Sequence, residues 1–222
     1  MTRQGVDAAV AQRQNEGLKR LLAEAEKGPV VQKGDVMVVV GERMVQDVIT
    51  SVLPVEQVIA GRYRVRLTEA GVHFEDGLAL VRLKGRASLA DRDEQYASAE
   101  LDVAGALDVV DLDPRSGRLR GQVKIIALDA QAVAVMGMKT PRQAEGLVEE
   151  LGRERLEAFS ALLAGIEIPV RIQQNVAIPA VSDSGVRIGA ASVPLAVSVL
   201  DVNAFRGRLW VSVKAAVQGT AP

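Results

Sequence analysis

In three long runs of this chain, apolar and charged residues take turns one by one. Tyr63, Val65 and Leu67 alternate with Arg62, Arg64 and Arg66. In "YASAELDVAGALDVVDL" (96–112), Leu101, Val103, Leu107 and Val109 fall on one side, and Glu100, Asp102 and Asp108 on the other. In "RLRGQVKIIALDA", Leu119, Val123 and Ile125 oppose Arg118, Arg120 and Lys124. A period of two belongs to an extended strand, whose successive side chains point to opposite faces. Each run therefore predicts a strand with one apolar and one solvated face. "DPRSG" between the last two predicts a tight turn and an antiparallel hairpin. A strand of about 16 residues reaches roughly 50 Å at 3.3 Å per residue. Sheets of such strands curl, and Gly85, Gly105 and Gly121 inside the runs permit bulges and bends.

Other segments carry a helical period. Residues 5–27 predict a helix that stops at Gly28-Pro29, with a thin apolar stripe of Val6, Val10, Leu18, Leu21 and Leu22. It reads as a peripheral helix or spacer. "DVMVVV" (35–40) predicts a short buried strand. "GERMVQDVITSVLP" predicts a helix, with Met44, Val45, Val48, Ile49, Val52 and Leu53 on one face and Pro54 at its end. "EAG" and "EDG" read as turns around a short "VHF" strand, followed by "LALVRLKGRASL".

Residues 140–166 predict the longest apolar helix. Thr140 stands at its N-cap and Pro141 in its first turn. About 24 residues of it would run about 36 Å. Strands follow again in "EIPVRIQQNVAIP", "GVRIGAASVPLAVSVLDV" and "RGRLWVSVKAAV". Strands and helices are segregated, which predicts an α+β fold with an antiparallel sheet. We divide the chain into an N-terminal helical extension (1–34) and a single domain (35–222).

Composition narrows the function classes. Of 222 residues, 48% are hydrophobic but only 3% aromatic, so apolar binding here rests on Val, Leu, Ile and Ala rather than on stacking. The formal net charge of -1 lacks the basic excess of a nucleic-acid binder. There is no cysteine, which excludes disulfides, thiolate catalysis and zinc–thiolate sites. No apolar run is long enough for a transmembrane helix, and the first residues lack a hydrophobic signal core. The expected location is the periplasm or cell envelope if a leader has been removed, and the cytoplasm otherwise.

Candidate chemical groups have plain structural readings. His73 is the chain's one histidine, with no second histidine to share a metal, and it reads as a residue flanking a turn. The Arg62, Arg64, Arg66 comb could meet phosphates, but it also fits a solvated sheet face. Cross-strand ion pairs would join Arg118, Arg120 and Lys124 to Glu100, Asp102 and Asp108. Asp111 and Asp113 imitate the start of a calcium loop, yet Ser116 and Gln122 stand where that loop needs Gly and Glu. Glu149 and Glu150 lie on the polar side of the long predicted helix. No nucleophile elbow, phosphate loop, dinucleotide fingerprint or zinc-protease motif is present. No catalytic residue, metal site or cofactor is expected.

Over residues 35–213 the order and texture of segments resemble the tubular lipid-binding superfamily. The likeness runs from "GERMVQDVITSVLP" through "RYRVRLTEAGVHF", "LALVRLKGRASL" and the long hairpin to "AEGLVEELGRERLEAFSALLAGI" before "EIPV". The resemblance implies a highly curved antiparallel β-sheet wrapped around a long α-helix, here with additional N-terminal helices. It also implies lipid tails held between sheet and helix. The expected lining is Val48 and Val52, then Tyr63, Val65, Leu67, Leu101, Val103 and Leu107, then Leu147, Leu151, Phe159 and Leu163. The function expected is non-enzymatic binding and transfer of a lipid or other hydrophobic ligand, with transient membrane contact and no nucleic acid. The alternative is an envelope scaffold or adaptor with a solid core. A third reading, a lipid hydrolase using Ser88, Asp111 and His73, has no motif behind it. The oligomeric state is left open.

Overall fold

The computed structural model describes residues 3–28, 35–91, 98–113, 116–132, 164–170, 175–183, 186–188 and 190–217. Helix α1 (Arg3–Lys27) is followed by β1 (Asp35–Gly41), α2 (Glu42–Ser51), β2 (Val55–Ile59), β3 (Tyr63–Glu75) and β4 (Leu78–Leu89). Then come β5 (Ser98–Asp113), β6 (Arg118–Ala132), β7 (Ala164–Pro169), β8 (Asn175–Ile178), β9 (Val181–Asp183), β10 (Val186–Ile188), β11 (Ala191–Phe205) and β12 (Arg208–Val217). Strands β2 to β7 form a six-stranded sheet in sequence order. A four-stranded sheet has the order β1-β12-β11-β8, and β9 and β10 pair by themselves. Neighbouring strands are antiparallel throughout.

The six-stranded sheet curls into a half-barrel, and its bends fall where the sequence places glycine. Register shifts occur between Leu67 and Glu69, Ala104 and Gly105, Val109 and Asp111, and Gly121 and Gln122. Gly85 pairs with Leu67 at the first of these. A Cβ there would overlap the Arg66 carbonyl oxygen, so a side chain is excluded at the point of closest approach. The bulge also corrects a reading: "EAG" is not a turn, and β3 runs through it to Glu75.

Helix α2 fills the inside of the curl. Its buried Val45 and Ile49 join Tyr63, Val65, Leu67, Leu83, Leu101, Val103, Leu107 and Ile168 in one core. The helix touches β3 near one end of the sheet and β7 at the other, which only a curled sheet allows. It also completes a strand edge. β2 pairs with β3 only from Tyr63 to Leu67. Beyond that, Gln46 donates through Nε2 to Ala70 O and accepts Val72 N–H, both at 2.7 Å. Glu42 Oε2 accepts Phe74 N–H at 2.9 Å.

The expected α+β arrangement, a curved sheet wrapped around a long helix, is overturned. The chain is mostly antiparallel β-sheet, with two helices among the described residues. The helix inside the curl is α2, ten residues long. The 25-residue α1 lies on the opposite face, where Val6 and Val10 pack on Leu78, Leu80, Ala104, Ala106 and Ala127. The end of the helix expected over 140–166 is strand instead: Ile166 in β7 pairs with Gly121. Residues 164–169 alternate between buried Ile166 and Ile168 and exposed Gly165, Glu167 and Pro169, a period of two that the leucine-rich residues before them mask. The remainder of that expected helix lies outside the described residues.

Three segments meet at a junction. Gly77 N–H donates to Ala204 O at 2.9 Å, Arg206 N–H to Asp76 Oδ1 at 2.8 Å, and Gln14 Nε2 to Asp76 O at 3.4 Å. Here α1 packs backbone against backbone. A Cβ on Gly17 would overlap Gly77 O, and one on Gly77 would lie 2.6 Å from Leu18 N. Gly17→Ala sets two effects in opposition. Helix propensity favours Ala by about 1 kcal/mol, while overpacking against a backbone atom costs about 1–3 kcal/mol. We expect the steric term to win, seen as a lower urea midpoint for Gly17→Ala than for wild type.

Candidate functional site

The residues expected to line a lipid channel fall into three groups. Tyr63, Val65, Leu67, Leu101, Val103 and Leu107 come together inside the curl, where each is buried in the shared core. Val48 of α2 is half-buried against the same core, and Val52, just past the helix, is 54% exposed. Leu147, Leu151, Phe159 and Leu163 lie outside the described residues. An open apolar groove among the described residues lies elsewhere.

It begins with the second half of α1. Leu18, Leu21, Leu22 and Ala25 recur at helical spacing on one face. The first half of α1 buries Val6 and Val10, but Leu18 and Leu22 remain 42% and 63% exposed. Facing them is the outer side of the four-stranded sheet. Register places Val39 beside Trp210 and Trp210 beside Asn203, Met37 beside Ser212 and Ser212 beside Asp201. The alternate residues Val38, Val40, Leu209, Val211 and Val213 point into the core. The outer face thus carries apolar Met37, Val39 and Trp210 among polar residues, and the main core covers the inner face.

Between helix and sheet runs a groove of about 690 Å³, lined by Leu18, Leu21, Leu22, Ala25, Met37, Phe205 and Trp210, with Asp76, Asp201, Asn203, Arg206 and Ser212 also in its wall. The volume falls within the range of about 300–1,000 Å³ common for small-molecule sites. Most polar groups in the wall already have partners. Trp210 Nε1 donates to Phe205 O at 3.0 Å, and the Asn203 amide donates to Asp201 Oδ2. Asn203 Oδ1 is buried without a hydrogen-bond partner. Arg20 reaches Val202 O at 3.4 Å. At the end of α1, a hydrogen bond from Lys27 to Glu24 holds the lysine above its ordinary pKa.

A second hollow, of about 410 Å³, sits at the β3 bulge among Arg66, Thr68, Glu69, Lys84, Gly85, Arg86, Glu100 and Leu101. Arg66 and Arg86 are direct cross-strand neighbours, but Glu56 and Glu100 flank them in the same row. The row balances its own charge, as a solvated sheet face should. Arg64 bonds Ala90 O and lies 3.6 Å from Glu56. The cross-strand pairs expected for the second comb are only partly formed. Lys124 meets Asp108 at 2.6 Å, while Arg118 pairs with Glu167 of β7 and Arg120 lies 4.0 Å from Asp113.

His73 sits within β3 rather than beside a turn, exposed and 3.6 Å from Glu42. It pairs with Leu80, eight residues from Ser88 along β4, a separation of roughly 26 Å at 3.3 Å per residue. Asp111 accepts the N–H of Leu112, and Asp113 accepts the hydroxyl of Ser116, so both shape the β5–β6 hairpin. No group of three or more metal-ligating side chains converges among the described residues. No helix among them is long and apolar enough to cross a membrane.

Fold and groove define an antiparallel β protein with an apolar surface cleft. No family model matches the chain, and neither a curated protein nor a solved structure is found to match it. The groove was half-legible in sequence. Leu18, Leu21 and Leu22 belong to the thin stripe of the expected peripheral helix or spacer, which carried no expectation of a groove. The "DVMVVV" run concealed the other wall, because a continuous apolar run does not say which of its faces a core covers.

Core and groove respond differently to substitution. Leu67→Ala removes a core side chain and should cost about 2–5 kcal/mol. Leu22→Ser acts on an exposed residue and should stay within about 0.5 kcal/mol. Chemical denaturation of the two variants checks the contrast.

Proposed function

We propose that this protein binds the hydrocarbon tail of a lipid in the groove between α1 and the outer face of β1, β12 and β11. The observation that carries the reading is the pairing of two apolar walls, Leu18, Leu21 and Leu22 against Met37, Phe205 and Trp210, across an open cleft. Contiguous exposed apolar surface of this kind marks ligand or interaction sites in soluble proteins. The ligand class is the one implied by the resemblance to the tubular lipid-binding superfamily. The place proposed is different; the described side chains on the concave face belong to one buried core. Burying methylenes gains about 0.8 kcal/mol each, so an eleven-methylene tail gains roughly 9 kcal/mol gross. Association and ordering remove much of that. In this reading the chain is a binding module rather than an enzyme, and carriage of lipid within a cell envelope is the role that follows.

Trp210 is the chain's one tryptophan and lines the groove, so its emission reports occupancy directly. Titration with dodecanol should shift Trp210 emission to the blue and saturate. Leu22→Asp, which places a carboxylate in the wall, should abolish the shift while leaving far-UV circular dichroism unchanged. An unchanged wild-type spectrum across the titration, together with no co-purifying lipid in native mass spectrometry, refutes the reading. That result would favour the solid-core adaptor instead.

A further inference from the structure

We infer that the free edge of β1 is a homodimer interface, where β1 pairs antiparallel with β1 of a second copy and joins two four-stranded sheets into one. Tail binding in the groove is not required for it. β1 ends its sheet, and all seven of its residues pair with β12 in an unbroken register. Among the described residues, no strand pairs with its far side. The direction of its backbone groups follows from the β11–β12 hairpin. Phe205 and Arg208 flank the two-residue turn and form a hydrogen-bonded pair. Along β12 the bonds then alternate, so Arg208 turns to β11 and Leu209 to β1. Leu209 stands beside Val40, and Val211 beside Val38. The backbone groups of Val38 and Val40 therefore face β12, and those of Met37 and Val39 face outward.

The other terminal strands of the two larger sheets carry guards against such pairing. β2 follows Pro54 and contains Glu56, β7 contains Glu167 and ends in Pro169, and β8 is four residues long. Charge, proline and shortness are the usual protections of an edge. Val36–Val40 has none of them. It is a run of apolar residues without a bulge, and Val36 and Val39 are 42% and 41% exposed. A second copy fits this edge because of the strand's own sequence. With a twofold axis at Val38, Met37 meets the partner's Val39, and Val36 meets the partner's Val40. Asp35, the strand's one charged residue, falls opposite the partner's Gly41, so no like charges face each other. The outward backbone groups of Met37 and Val39 then meet in the hydrogen-bonded register, the kind of contact that supplies affinity in strand addition.

Sedimentation equilibrium of the whole chain tests this. Wild type should sediment at twice its chain mass of 23.6 kDa. Val39→Lys places an edge guard on an exposed residue, and should sediment at the mass of one chain with its far-UV circular dichroism unchanged. A second variant uses the absence of cysteine from the chain. Val38 would face the partner's Val38 in a non-hydrogen-bonded pair, with Cα atoms about 4.5 Å apart, close enough for a disulfide. Under mild oxidation Val38→Cys should form a covalent dimer, and Val58→Cys, on the guarded edge of β2, should not. A monomeric wild type overturns the inference and leaves the edge to an extended segment of another protein. A dimer that persists in Val39→Lys, or equal cross-linking of Val58→Cys, overturns the assignment to β1. Should Val39→Lys lose its circular dichroism signal, Val38→Cys decides alone: a covalent dimer supports the interface and its absence overturns it.

Discussion

An edge of a β-sheet exposes a row of backbone donors and acceptors, and the half-barrel here depends on how one such edge is finished. Strand β2 covers only the first third of β3. Past the bulge, the backbone of Ala70, Val72 and Phe74 would be left without a neighbour. Two polar side chains of α2 stand in for the missing strand, with Gln46 serving one acceptor and one donor and Glu42 serving a second donor. A buried backbone group left unpaired costs roughly 1–3 kcal/mol, so these contacts matter more than their number suggests. They also orient α2. With Gln46 and Glu42 turned to the edge, Val45 and Ile49 face the interior, and the helix reaches β7 on the far side. Edge completion and core filling are done by one ten-residue helix.

The same economy explains why apolar residues occupy both sides of the sheets. On β4 to β6, the inner side chains meet α2 and the four-stranded sheet, while Leu78, Leu80, Ala104, Ala106 and Ala127 on the outer side meet the first half of α1. The outer side of β1, β12 and β11 meets the second half of the helix in the same way, but without contact across the whole width. One helix thus serves as a lid on one sheet and as a wall on the other. The proposed binding groove is the part where it does not seal.

The sequence was most readable where one local rule decides the outcome. Alternation at 63–67, 98–113 and 118–132 is strand, while Gly61 and Arg62 stand in the turn before β3, and Gly85, Gly105 and Gly121 stand at or beside register shifts. It was least readable where tertiary neighbours decide. "EAG" has the composition of a turn, but in a curled sheet the bulge at Thr68 absorbs the extra residue. Ile166 and Ile168 follow a leucine-rich run, so their period of two was lost in a helical one. Resemblance of segment order suggested a long helix inside the sheet, whereas the described helix there is the ten-residue α2. For the site, the α1 stripe was visible, while its opposite wall required knowing that β1 pairs with β12 across the whole length of the chain.

The contact of Gly17 with Gly77 has a mechanical meaning. It is the fulcrum of a lever. One arm of α1 is fastened to the six-stranded sheet by Val6 and Val10, and the other arm extends over the four-stranded sheet, tied by Arg20 to Val202 O. The width of the groove is therefore set by the angle between the two sheets as well as by the residues that line it. A change where the sheets meet, at Leu209 for instance, would alter the shape of the groove without touching the residues that line it.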